Sequence, residues 1–172
     1  EDIRIVKSGS GGKISLSLQG MRVGGGHAEK QFYSVLEQDL VRSGWFAIVN
    51  KPTSTVQAGG SCTQEGGRLA AACDVRNAQT GKRYVSRVYT ETPTRSRELA
   101  HTVADAIVEA VKKVSGIAST RIVLIGSKAG KKDLFVCGAD GADMVQLTRD
   151  GAPCLSPTWS PRGDSLFYTS FH

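Results

Sequence analysis

The sequence predicts an α+β (α/β) domain with a mixed or antiparallel sheet and two helices, followed by a second segment built of short strands alone. Three observations carry this reading. Two stretches place apolar residues three and four apart, a run of alternating segments punctuated by turns lies between them, and helical spacing disappears after Gly116.

Taken in order, Ile3 to Val6 is mostly apolar and precedes Ser8-Gly-Ser-Gly-Gly12, so residues 1–12 read as an N-terminal arm on a flexible hinge. Lys13 to Leu18 alternates with period two and reads as a strand closed by Gly20 and the triple glycine Gly24 to Gly26. From Ala28, the residues Phe32, Val35, Leu36 and Leu40 take helical spacing up to Gly44, which sits where a glycine C-cap belongs. Trp45, Phe46, Ile48 and Val49 predict a short strand ended by Pro52. Thr55–Thr63, Arg68–Arg76 and Arg83–Thr90 have no helical period. Joined by the turns Glu65-Gly-Gly67 and Asn77 to Gly81, they predict an antiparallel meander. After Pro93, Leu99, Val103, Ala106, Ile107, Ala110, Val111 and Val114 predict a second long helix with Gly116 as its stop. Residues 13–118 thus form one domain, with both helices on one face of the sheet. In residues 119–172, Arg121–Ile125, Asp133–Gly138, Met144–Thr148, Pro157–Ser160 and Leu166–Phe171 are short strands separated by Gly, Asp and Pro turns.

At 172 residues the chain is long enough to bury a core, and no apolar run approaches the ~20 residues that span a bilayer, so no membrane insertion is expected. It starts at Glu1 without a methionine or a charged-then-apolar leader; either a targeting segment has been removed or the chain was cut from a longer one. The net charge of +6 is carried by the first part, with 16 basic against 11 acidic residues up to residue 118 and 6 against 5 after it. Those cations are scattered, neither gathered on one face nor interleaved with aromatics, which argues against nucleic acid as a partner. The four cysteines show no Cys-x-x-Cys and no flanking histidine, so no metal is expected. Cys62 and Cys73 flank one hairpin, Cys137 and Cys154 a second turn region. Two local disulfides suit that placement, and four buried thiols are the alternative.

Gly24-Gly-Gly-His27 lies between a strand and a helix, where phosphate-cradling loops sit, but it fits neither nucleotide-binding glycine pattern and reads as a tight turn. His27, His101 and His172 are far apart in sequence, and there is no Gly-x-Ser-x-Gly elbow and no His-Glu-x-x-His. No catalytic residue, cofactor or enzymatic activity is expected. Arg162-Gly-Asp164 spells an adhesion tripeptide, yet Gly163 falls where a turn needs positive φ, and the turn is the simpler account.

Asp140-Gly, Gln146-Leu-Thr148, Ser156-Pro-Thr-Trp-Ser-Pro-Arg-Gly163 and the apolar Leu166 to Phe171 together resemble the blade repeat of the TolB family. Those blades carry Leu-Thr, then Pro-x-Trp-Ser-Pro-Asp-Gly, then an apolar strand. Trp159, Ser160, Pro161 and Gly163 fall on the motif; Arg162 departs from its aspartate, which touches the local turn hydrogen bonding. Upstream, Glu1-Asp-Ile-Arg-Ile-Val6 resembles the family's arm. Phe32, Asp39-Leu40 and Ser43-Gly-Trp-Phe46 resemble its first helix and strand, and His101-Thr-Val-Ala-Asp105 with Gly116 to Val123 its last helix leading into the first blade. Between Pro52 and Arg68 there is little room for the extra helix the family usually carries.

The resemblance implies an incomplete β-propeller of TolB/WD-like blades after the α/β domain. Arg121–Ile125 and Leu166–Phe171 would be the same strand in successive blades, about 44 residues apart against roughly 40–45 for a WD-type blade. It also implies a non-enzymatic periplasmic member of the Tol-Pal system. Its arm, Glu1, Asp2, Ile3, Arg4, Ile5, Val6 and Lys7, would bind the C-terminal domain of TolA, and its propeller face the lipoprotein Pal. Rival readings are a propeller-bearing peptidase, whose Gly-x-Ser-x-Gly domain is absent from these residues, and a small stand-alone interaction module. Because an unclosed sheet leaves unpaired edges, the region after Gly116 is expected to be poorly ordered or paired between molecules, as in a swapped dimer through blade edges.

Overall fold

The computed structural model describes residues 12–51, 53–128, 131–149 and 151–171. The arm residues Glu1 to Lys7 lie outside them. The chain divides into two units, one running to Val114 and one from Ser115.

In the first unit, alternation of apolar and small residues sets the sheet. Strands β1 (Ile14–Val23), β2 (Phe46–Ile48), β3 (Val56–Glu65), β4 (Arg68–Asn77) and β5 (Arg83–Glu91) form five strands in the order β2-β1-β3-β4-β5. β1 is parallel to both its neighbours, and β3, β4 and β5 are the antiparallel meander, so the sheet is mixed. Parallel neighbours need a crossover, and helix α1 (His27–Arg42) supplies it between β1 and β2. Every second residue of β4 from Leu69 to Val75 is buried, alongside Ala58 and Cys62 of β3 and Leu16 and Leu18 of β1. Against that face pack α1, through Phe32, Leu36 and Leu40, and α2 (Ser96–Lys112), through Leu99, Val103 and Ile107. Each such side chain, fully buried, contributes about 1.5–3 kcal/mol.

Two local outcomes differ from the sequence reading. β1 does not close at Gly20 but runs on to Val23; a register shift against β3 between Ser17 and Gly20 restarts the inward series at Met21. Helix α2 stops before Gly116. Lys113 takes the left-handed conformation, φ 62°, and its amide donates to the Glu109 carbonyl at 2.9 Å. The adjacent Lys112 Nζ lies 4.4 Å from the centre of the Trp45 ring, a cation–π contact that anchors this helix end beside the start of β2. Val56–Glu65 is strand, and no helix lies there. At the other helix end Gly44 has φ 79°, as a glycine after the last turn should.

The cysteines are a correction. Cys62 lies opposite Ala71 and Cys73 opposite Gly60, so the two are diagonal neighbours rather than a facing pair. All four cysteines are free and buried, and the expected local disulfides are not formed. Burial, with Glu29 beside Cys62 and Asp74 beside Cys73, pushes both thiols up to about 12. Such groups stay protonated and inert at neutral pH.

The second unit holds two separate sheets. Strands β6 (Arg121–Lys128), β7 (Lys131–Gly138) and β8 (Val145–Gln146) form one antiparallel sheet, and β9 (Cys154–Trp159) and β10 (Leu166–Ser170) form a two-stranded one. This is an incomplete, open propeller, with no closed barrel among the described residues.

Gly60 is the tightest backbone position in the first unit. Its φ is 134°, and a Cβ there would stand 2.0 Å from the Ala72 carbonyl oxygen. Gly60→Ala should therefore cost about 2–3 kcal/mol in urea unfolding. Gly12→Ala, which meets nothing within 4 Å, should change stability by less than about 0.5 kcal/mol. Equal effects would show that the β3–β4 approach is not a constraint.

Candidate functional site

The blade motif is built on the turn between β9 and β10. The Gly163 amide donates to the Ser160 carbonyl at 2.9 Å and the Ser160 amide to the Ser165 carbonyl at 2.9 Å, closing the hairpin. Pro161 presets the turn, and Gly163 supplies φ 69°. Arg162 stands where the motif has aspartate, and Asp164 takes over the hydrogen bonding. Ser160 Oγ donates to Asp164 Oδ1 at 2.8 Å, Ser165 Oγ donates to the same oxygen at 3.2 Å, and Arg162 Nε lies 3.2 Å from Oδ2. Trp159 is half-buried, and the Arg121 guanidinium of β6 sits 4.9 Å from its ring centre, tying the first strand of one sheet to the motif of the other.

The Leu-Thr motif has a second, buried role. Thr148 Oγ1 accepts from the Leu134 amide at 3.0 Å and donates to Asp133 Oδ1 at 3.1 Å. Gln146 Nε2 donates to Asp133 Oδ2 at 3.1 Å and to the Thr148 carbonyl at 2.9 Å. Asp133 and Thr148 are both buried, so this cluster replaces the ladder hydrogen bonds that β8, only two residues long, cannot make.

The order of these pieces is matched in known proteins. A Tol-Pal system protein TolB of Bordetella avium is 31% identical over 157 residues, covering 80% of this chain and 36% of the relative. The TolB of Hahella chejuensis is 34% identical over 102 residues, 57% of this chain and 24% of the relative. Among solved structures, TolB from Acinetobacter baumannii superposes with a TM-score of 0.81 over 94% of this chain and 45% of its own, at 21% identity. This chain belongs to the TolB family. It spans about a quarter to a third of the length of these curated relatives. No family model matches it.

Other groups singled out in this TolB-family chain turn inward. The loop Gly24 to Gly26 holds a carboxylate of its own chain: Glu29, in the first turn of α1, folds back against Gly24 and Gly26, and its Oε1 accepts from the Gln64 amide at 3.2 Å. The place where a phosphate would sit at this helix N-terminus is thus taken by Glu29. His101 Nδ1 lies 2.6 Å from Asp39 Oδ2, and Arg42 Nη1 lies 3.1 Å from Asp39 Oδ1, so His101 clasps α2 to α1. Arg162-Gly-Asp164 is spent on its own turn. What remains outward is apolar edge: Phe167, Tyr168 and Phe171 on or beside β10, and Met144, Val145 and Leu147 around β8, are all exposed.

Asp133 and Asp164 escaped the sequence reading because a lone aspartate has no period; the Leu-Thr pair and the missing motif aspartate were the only signals pointing at their partners. Thr148→Val leaves Asp133 and the Leu134 amide short of a partner and should destabilise the second unit by about 1–3 kcal/mol. Followed through Trp159 fluorescence in a Trp45→Phe background, the urea midpoint should fall; an unchanged midpoint would show the cluster to be incidental.

Proposed function

We propose that this chain is the N-terminal part of a non-enzymatic adaptor that works in the periplasm as a member of the Tol-Pal system. Its arm, Glu1 to Lys7, would bind the C-terminal domain of TolA, and its propeller face would engage Pal. The observation that carries the reading is the 31% identity to a Tol-Pal system protein TolB over 80% of the chain. The interior supports it chemically. The histidine, the glycine loop and the buried thiols are each engaged in holding the fold, and the outward groups are apolar strand edges suited to protein contacts. Among the described residues no helix is long and apolar enough to cross a membrane.

The arm is suited to strand addition, since Ile3, Arg4, Ile5 and Val6 precede the Ser8-Gly-Ser-Gly-Gly12 hinge. Deleting Glu1 to Gly9 should abolish measurable binding of the TolA C-terminal domain in calorimetry while leaving the melting temperature unchanged. Binding that survives the deletion would overturn the assignment of the arm.

A further inference from the structure

The face of the first unit's sheet opposite the helices is not flat. Across β1, β3 and β4 it holds a trough of about 370 Å³, at the lower end of the ~300–1,000 Å³ usual for ligand pockets. At its floor Gly20 lies opposite Gly59, and neither raises a side chain into it. The Ser17 hydroxyl and the side-chain amides of Gln19 and Gln57 stand around that bare backbone. The charged end is Arg76, which faces Arg83 directly across the β4–β5 ladder. Like charges so placed repel, and Asp74 bridges them. Its Oδ1 accepts from Arg76 Nη2 at 2.6 Å and from Arg76 Nε at 3.1 Å, and its Oδ2 lies 2.9 Å from Arg83 Nε. Hydrogen bonding from Arg76, with the charges of Arg76 and Arg83 behind it, holds the Asp74 carboxyl below the usual carboxylate range.

One carboxylate does not balance two guanidiniums, and the cluster keeps one positive charge. Among the described residues, Arg76 Nη1 and both Nη groups of Arg83 have no acceptor, and the two side chains are 51% and 62% exposed. We propose that the trough binds a short peptide segment of a partner through a single carboxylate, an acidic side chain or a chain end. The carboxylate sits on the outer N–H groups of Arg76 and Arg83, and the segment's backbone lies over Gly20 and Gly59. Asp74 aligns the guanidiniums, each of which can take a carboxylate through two parallel hydrogen bonds. A carboxylate brings the one negative charge the cluster lacks, whereas a phosphate, at about −1.5 to −2, would overshoot it. The rest of the trough is hydroxyl, amide and bare backbone, which pairs with peptide groups and offers nothing to an acyl chain. Every group involved lies between Ser17 and Arg83 on β1, β3, β4 and β5. The site is therefore complete within the first unit and stands apart from the arm and the propeller face of the adaptor reading.

Amide chemical shifts of the isotope-labelled full chain test it against three short, otherwise neutral peptides. The first has blocked ends and a central glutamate, the second a free C-terminus and a central glutamine, and the third blocked ends and the glutamine. The amides of Gly20, Gly59 and Arg76 should shift saturably with one or both of the first two, which tells side chain from chain end, and not with the third. Arg76→Gln and Arg83→Gln should each weaken that binding about fivefold or more with an unchanged melting temperature, since both side chains are half exposed or more. Arg68→Gln, which removes the same charge at the far end of β4, should leave binding unchanged. The absence of saturable shifts, equal shifts with the neutral peptide, tighter binding of inorganic phosphate than of either carboxylate peptide, or a loss in Arg68→Gln equal to that in Arg83→Gln would each overturn the proposal.

Discussion

The first unit depends on one buried face. Leu16 and Leu18 of β1, Ala58 and Cys62 of β3, and Leu69 to Val75 of β4 present a continuous apolar surface, and α1 and α2 cover it. The opposite face of the same strands offers Ser17, Gln57, Asp74 and Arg76, none of which could hold a second layer. One core on one side obliges the helices to lie together, and the Asp39–His101 contact, with Arg42 on the second oxygen, fixes their mutual position where both partners are nearly dry. A buried polar contact stabilises little against an apolar alternative, but its directionality selects one arrangement of two helices that apolar contacts alone would let slide.

The second unit obeys the opposite constraint. Among the described residues it has no continuous core of comparable size, and its order comes from local polar devices: the Asp133–Thr148–Gln146 cluster, the Ser160–Asp164 turn, and Arg121 on the Trp159 ring. Propeller blades bury their faces against neighbouring blades, so apolar residues such as Ile122, Met144, Val145 and Phe167 stay exposed on strands that are otherwise well formed. The chain thus combines a unit closed by its own packing with one ordered by local polar contacts.

Much of the fold was legible in the sequence because period is a direct consequence of one-sided burial. The meander of β3, β4 and β5 and both helices follow from alternation at two and at three to four. What was not legible depended on three-dimensional offsets. β1 passes through Gly20 because a register shift, invisible in a single strand, restores its inward series. α2 ends at Lys112, with Lys113 left-handed, and the Lys112 ammonium lies over Trp45, a residue far away in sequence. Cys62 and Cys73 flank a hairpin and so invite pairing, but two residues of offset across the ladder make them diagonal neighbours in the core. In the blade turn the motif survives a changed residue because an aspartate two positions later reaches the same serine.

Amide hydrogen exchange on the full chain tests the division between the two units most directly. If the first is closed by its own core and the second is held by local devices, amides of β3, β4 and the buried faces of α1 and α2 should exchange at the rate of global unfolding. In dilute solution those of β9 and β10 should exchange orders of magnitude faster through local opening. Protection in β9 and β10 equal to that of β4 would contradict the account, since it would require a single cooperative core that includes the open blades.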